Sequence, residues 1–438
     1  MKKISLLLVL LILASCKNDS GKDAATSIKD NNAIVNFSDF EDHLDHDISQ
    51  RIGEINTEID SLKKVLDDRP NNILDLAKVA SLLDERFDLK ANVEDLNESV
   101  RFRESVTKKT AIKPEGAQRM LAQSYIKQHR FKDADSVMKS FTQEYASRES
   151  KYVLFDVAME LGRYDEAEKL LDELKNDSDY NYLIRSAKWN DYIGRLDNTI
   201  IAMEKALKLA ESSGNTGWKL WSYSNIADYY GHDGQVEKSY DHYLKTLEID
   251  PGNTYALKGI SWVAFSKDGQ AEQALQIINK LQERHPSPDY LLSKAELMEF
   301  MGKEKDTDAL KSEFITRVNR PEYGEMYNAY LIEELASGSD EEKSKSLEIA
   351  RKEIENRATP ETYDLLGLAL LENGQNEEAL ENHKSYVIGK TFEPVAQMHT
   401  AMIYRANGMD DEAEELKKEL LEAEYELGPV VIKEVKKI

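Results

Sequence analysis

Apolar residues recur at helical spacing through nearly the whole chain. Between Ile48 and Asp67 they fall at Ile52, Ile55, Ile59, Leu62 and Leu66, a single stripe on a charged surface that breaks at Arg69-Pro70-Asn71-Asn72. Two less regular stripes follow, at 73–83 and 89–106. From Pro114 the stripes come in pairs. Small residues stand where two helices would cross closely: Ala122 with Ala134, Ala158 with Ala167, Ala187 with Ala206, Ala401 with Ala413. Bulky residues at helical spacing fill the space between, such as Leu121 and Tyr125, Leu171 and Leu174, Tyr230 and Tyr243, Leu366 and Leu370. The stretch 154–174 shows the unit most plainly: a helix, a tight turn at Gly162-Arg163, and a second antiparallel helix from Tyr164-Asp165-Glu166-Ala167. Glycine marks the corresponding turn at 194, 234, 269, 302, 374 and 408, and Pro251 and Pro286 close second helices because the ring cannot continue the backbone ladder. Alternating Val/Ile/Thr runs bounded by Asn-Gly turns are nearly absent. The pattern predicts an all-α chain.

Units begin near 115, 148, 180, 220, 254, 289, 322, 360 and 394, and most spacings lie close to ~34 residues, the tetratricopeptide period. With the Ala pairs, the turn glycines and the ending Leu247-Glu248-Ile249-Asp250-Pro251, residues 112–427 resemble an array of about nine tetratricopeptide helix pairs. The resemblance implies a right-handed α–α superhelix. The units at 289 and 322 match poorly, with loop-like breaks expected at 303–308 and 337–342. Residues 44–111 read as an N-terminal helical cap. Gly428-Pro429 is expected to stop the last helix. The apolar and basic tail 428–438 is then expected to fold back over the last repeat, or to add to a partner as a strand. The array, including 128–131, 162–167 and 362–367, resembles a widespread group of bacterial tetratricopeptide proteins with no established activity.

The N-terminus places the array. Met1-Lys2-Lys3 is a short positive region, and Ile4–Leu13 is an apolar run too short for a permanent span. It ends Leu13-Ala14-Ser15-Cys16, which resembles the lipobox of bacterial lipoproteins and uses the chain's one cysteine. That resemblance implies a signal peptide over 1–15 and a diacylated Cys16 as lipid attachment. Lys17 stands where an Asp would retain a lipoprotein in the inner membrane, so the resemblance points to the outer membrane, periplasmic or surface face. Residues 16–43, rich in Asn, Asp, Ser and Lys, read as a flexible tether. His43 and His46 lack a third ligand, so no metal is expected, and no cofactor either.

Charged residues make up 32% of the 438, and the formal net charge is −24; loss of Lys2 and Lys3 with the signal peptide leaves −26. Such a surface excludes nucleic acid, which requires a basic footprint. Against that background, helical phase puts Arg185, Lys188, Trp221, Asn225, Tyr255, Lys258 and Trp262 on the concave face, a basic and aromatic set suited to carboxylates and apolar side chains. The alternative, that the two Trp fill unit junctions and the cations pair with local acids, stays open. Some tetratricopeptide domains clamp a C-terminal carboxylate; Arg185, Lys188 and Asn225 imitate part of that set, but Tyr255 and Gly259 break it. Gly389-Lys390-Thr391 lacks the upstream Gly of a phosphate loop, Lys384 standing there, and no nucleophile or zinc motif occurs. The expectation is a non-catalytic, membrane-anchored scaffold binding a protein or peptide in its groove. The alternatives are a nutrient-capture lipoprotein or an accessory subunit of an outer-membrane assembly or secretion complex.

Overall fold

The computed structural model describes residues 33–140 and 146–438; the signal segment, Cys16 and most of the expected tether lie outside the described residues. Among the described residues the regular elements are helices, and no strand occurs. Four helices come first: α1 (Glu41–Leu44), α2 (Ser49–Asp68), α3 (Ile73–Lys90) and α4 (Val93–Lys109). Hairpins follow: α5 (Glu115–Lys127) with α6 (Phe131–Met138), α7 (Arg148–Glu160) with α8 (Tyr164–Glu173), and α9 (Tyr180–Tyr192) with α10 (Leu196–Ser213). Next come α11 (Thr216–His232) with α12 (Val236–Ile249), α13 (Thr254–Trp262) with α14 (Ala271–Arg284), and α15 (Asp289–Phe300) with α16 (Glu304–Val318). The last are α17 (Asn328–Ala336) with α18 (Asp340–Asn356), α19 (Pro360–Glu372) with α20 (Asn376–Tyr386), and α21 (Pro394–Ala406) with α22 (Asp410–Leu420), then a terminal α23 (Glu424–Val435). Consecutive hairpins stack on one another, an α–α superhelix of repeats.

Local chemistry explains the boundaries. Asn72, Asp179, Asn215 and Asn253 each precede a helix and accept backbone N–H groups of its first turn, satisfying donors the helix cannot pair itself. The crossing alanines 122, 134, 158, 167, 187, 206, 401 and 413 are all fully buried, so paired backbones approach closely with bulkier residues packed around them. The expected break at 303–308 is helical from Glu304 on, and the one at 337–342 is a loop only over 337–339. Glu304 already begins α16, and Ser339 forms a capping box with Glu342, whose Oε2 accepts the Ser339 N–H at 2.7 Å. Acidic runs that read as loops are helix N-termini, where carboxylates favour the dipole.

Residues 34–43 differ from the flexible tether expected there. Val35, Phe40 and Leu44 are buried against α12, the α13 end and α14, and the Asp268 carboxylate accepts the N–H groups of Ile34 (3.1 Å) and Val35 (2.8 Å). Three apolar residues among the polar ones are enough to seat the segment once a carboxylate captures its backbone.

The array also returns on itself. Asn97 on α4 donates to Glu322 O at 2.8 Å across 225 residues, and Arg320 pairs with Glu94 at 3.1 Å. Asn356 donates to His129 O at 3.3 Å, and Arg357 meets Glu160 at 3.2 Å. A Cβ on Gly162 would lie 2.3 Å from Ala358 O, and one on Gly194 would lie 2.6 Å from the Phe392 ring. Hairpin turns of α5–α10 therefore abut the end of α18 and the loops after α18 and α20, along a seam.

Candidate functional site

Arg185 and Lys188 lie on α9, Trp221 and Asn225 on α11, and Tyr255, Lys258 and Trp262 on α13. Each has a partner within the chain. Arg185 Nη2 meets Asp156 at 2.5 Å, while Nε and Nη1 donate to the carbonyls of Tyr152 and Asn181, both at 3.1 Å; its side chain is 11% exposed. Lys188 pairs with Glu160 at 2.8 Å and Lys258 with Asp289 at 2.5 Å. Tyr255 donates its hydroxyl to Asp228, which also accepts from Tyr243. Asn225 donates to Trp221 O at 2.8 Å, and the Trp221 ring stands edge-on to Tyr180, 6.4 Å between centroids. Trp221 and Tyr255 remain 39% and 50% exposed. The three inner cations are thus spoken for by acids of adjoining helices, while Trp221 and Tyr255 each keep one side-chain contact and a face toward solvent.

Trp262 is covered by the chain's own end. Its Nε1 donates to Tyr425 O at 3.2 Å, Ser266 Oγ donates to the same carbonyl at 2.6 Å, and a Cβ on Gly428 would lie 2.6 Å from the indole. Ser266 reaches that carbonyl because α13 ends in a π-helical turn, Val263–Lys267. Gly428-Pro429 interrupts the helix as expected, but the chain turns helical again directly after it. Gly428 takes φ 74° and ψ 163°, a bend only glycine adopts easily, and Pro429 then opens a second helical stretch in which its missing N–H costs nothing. Leu427, Ile432 and Val435 are buried, and α23 lies against α11, the π turn, α15, α21 and α22. The tail is therefore neither a cap on the last repeat alone nor a strand.

The inner face carries acids that those cations do not reach. Among the described residues no cation stands within ion-pair distance of Asp191, Glu296, Glu333 or Glu393. Burial pushes Glu296 and Glu333 up to about 7 and Glu393 to about 6, and raises Asp191. Asp191, Glu361, Glu393 and Glu426 surround His232 in a cavity of about 190 Å³ on the seam. Burial disfavours the imidazolium there, but its 2.8 Å hydrogen bond to Glu426, with the charges of Glu426, Glu393 and Asp228, raises His232 to about 9.

A second concavity, about 780 Å³, opens between α17, α19, α21 and α23, with Leu368, Val395, Met398 and Met402 along it and Glu333 at its edge. None of these was singled out from the sequence. The available signal was the stripe Val395, Met398, Met402, which adds an apolar face to α21 beside its core positions Ala401 and Ile403. Among the described residues no cluster of His, Cys, Asp and Glu is arranged for a metal ion.

A PPR repeat model matches residues 153–178, spanning α7 and α8, so the chain carries a helical repeat of the PPR/TPR kind. No curated protein matches the chain. Among solved structures it is similar to an IFIT1 monomeric mutant with Gppp-AAAA, at 13% identity over 74% of this chain and 80% of that one, TM-score 0.38. It is also similar to the human IFIT1 dimer with m7Gppp-AAAA (19%, 68% and 72%, 0.37) and to the APC/C hetero-tetramer Cut9-Hcn1 (11%, 89% and 94%, 0.33). The fold stands on the helices themselves, not on these likenesses. No helix among the described residues is long and apolar enough to cross a membrane.

Proposed function

We propose that the protein is a non-catalytic scaffold, anchored through a lipidated Cys16 to the outer membrane of a Gram-negative bacterium, that holds a segment of a partner protein on the inner face of its superhelix. The observation that carries the partner reading is the pair Trp221 and Tyr255, exposed on neighbouring first helices and each resting on one residue of the chain, Tyr180 and Asp228. Aromatic area that already rests on a neighbour loses little entropy on binding, which is how anchoring residues of interfaces work. The lipobox-like Leu13–Cys16 supports the anchor, and tethering would raise the local concentration of scaffold at the membrane. The IFIT1 structures contain capped RNA analogues; here the inner cations Arg185, Lys188 and Lys258 are already neutralised, which favours a protein partner over phosphates.

Two measurements test the reading. Cross-linking in native membranes, with Trp221→Ala/Tyr255→Ala beside wild type, should lose the partner band while the melting temperature stays within ~2 °C, as expected for exposed side chains; full retention of the band would overturn the site. Cys16→Ala should move the protein into the soluble fraction, and persistence on washed membranes would overturn the anchor.

A further inference from the structure

We infer that the inner face of α17, α19 and α21, beyond the end of α23, is a docking groove for a basic amphipathic helix of a partner protein. The inference rests on the scaffold reading and gives it a place and a partner chemistry.

The place follows from what is already covered. On α11, the π turn and α15 the inner face is occupied by α23, so the chain itself shows that this face accepts a helix. Val431 of α23 forms one wall of the open concavity, which therefore continues an existing helix-on-face interface. Its floor is apolar, with Leu368 from α19 and Val395, Met398 and Met402 from α21; Val395 is 39% exposed. Two unbranched methionines one helical turn apart make an adaptable surface of the kind used in helix-in-groove recognition.

Charge selects the sign of the partner. Of the cations at the groove, Arg405 is taken by Asp410 (2.9 Å), Glu414 (3.5 Å) and the Ile438 carbonyl (2.7 Å), and Lys437 by Glu434 (2.6 Å). Glu372 has Lys343 at 3.4 Å. Glu333 has no such partner among the described residues, and His399 beside it turns Nδ1–H toward Asp364 at 2.8 Å. The group left over is Glu333, which burial raises to about 7 against the opposing pull of His399, and which an approaching cation would hold ionised, on a protein of net −24 that draws cations toward it. A Lys or Arg next to the apolar face of an incoming helix would meet Glu333. An acyl chain would fill the floor and leave that carboxylate unpaired.

The test uses the full-length protein and a fluorescein-labelled Leu/Lys peptide of about 18 residues, long enough for several helical turns. Its leucines form one helical face; a second peptide has the same composition with the leucines scattered. Anisotropy should show the amphipathic peptide binding at least ~10-fold more tightly than the scattered one, a difference of about 1.4 kcal/mol. Met398→Asp/Met402→Asp should abolish that preference, and Glu333→Gln should weaken binding several-fold and flatten its salt dependence. If the double variant does not fold, by circular dichroism, Val395→Asp takes its place. Equal binding of the two peptides, or unchanged binding by folded groove variants, overturns the inference. Trp221→Ala/Tyr255→Ala separates the two readings. If that variant loses the native cross-link while the peptide result fails, the groove falls and the scaffold stands; if it keeps the cross-link, the scaffold falls on its own evidence.

Discussion

Arg185 and Lys188 sit three residues apart on one helix, carry the same charge and face acids of the preceding hairpin, yet their environments differ. Arg185 makes three hydrogen bonds around a nearly buried guanidinium, two of them to backbone carbonyls, and covers the Tyr152 ring at 4.6 Å. Lys188 makes one, with its side chain 42% exposed. Arg185→Ala should destabilise by about 2–3 kcal/mol, because it takes the cation from Asp156 and uncovers the Tyr152 ring. Lys188→Ala should cost under ~1 kcal/mol. Urea midpoints of the two variants measure the difference, and equal costs would mean that Arg185 is more solvated than its contacts indicate. Both residues were legible as inner-face cations from helical phase. Their partners were less so: Asp156 and Glu160 lie 29 and 28 residues upstream, a relation that appears only when successive repeats are laid over one another.

Among the elements, hairpins were legible wherever a turn glycine and a pair of crossing alanines coincide, because those residues do the same mechanical job in every unit. Where the glycine was missing or an acidic run interrupted the stripe, as at 303–308 and 337–342, the helix starts read as loops. The turn glycines themselves are not equivalent. Gly162 (φ 69°) and Gly234 (φ 72°) share a left-handed conformation, but a Cβ on Gly234 would meet nothing within 4 Å, while one on Gly162 would collide with Ala358 O. Gly234→Ala should therefore cost about 1 kcal/mol, the backbone penalty alone. Gly162→Ala should cost well over twice that, since the backbone of the α18–α19 loop has to move. Similar costs would show that the seam yields at this point. The seating of residues 34–43, and the reach of α23 past the last repeat, escaped detection for one reason. Each is anchored by a backbone–side-chain contact, to Asp268 or to Trp262 and Ser266, and such contacts leave no period in the sequence.

At the level of the whole molecule, the seam makes stability depend on pH. His232 has an unfolded value of 6.5 and is held near 9 by Glu426, with Glu393, Asp228 and Asp191 also facing it. A raised value means that the folded state holds the proton more tightly. The stabilisation is complete below pH 6.5 and is lost as pH rises toward 9. With the side chain 43% exposed, screening reduces it to about 1 kcal/mol. The urea midpoint should fall between pH 6.5 and 9.5, and His232→Gln should remove that component of the decline; an unchanged slope would place the dependence elsewhere.

Closure has a consequence for how the chain comes into being. An open row of repeats can fray from either end and gain or lose a unit with little effect on the rest. Here the edge presented by Asn97 waits for Glu322, 225 residues later. At ~5–20 residues per second of synthesis, the early hairpins spend about 10–45 s with that edge bare. Deleting one hairpin between them would throw every later loop out of step with the turn it meets. Selection acting on this array is therefore expected to tolerate changed surfaces far more readily than a changed number of units.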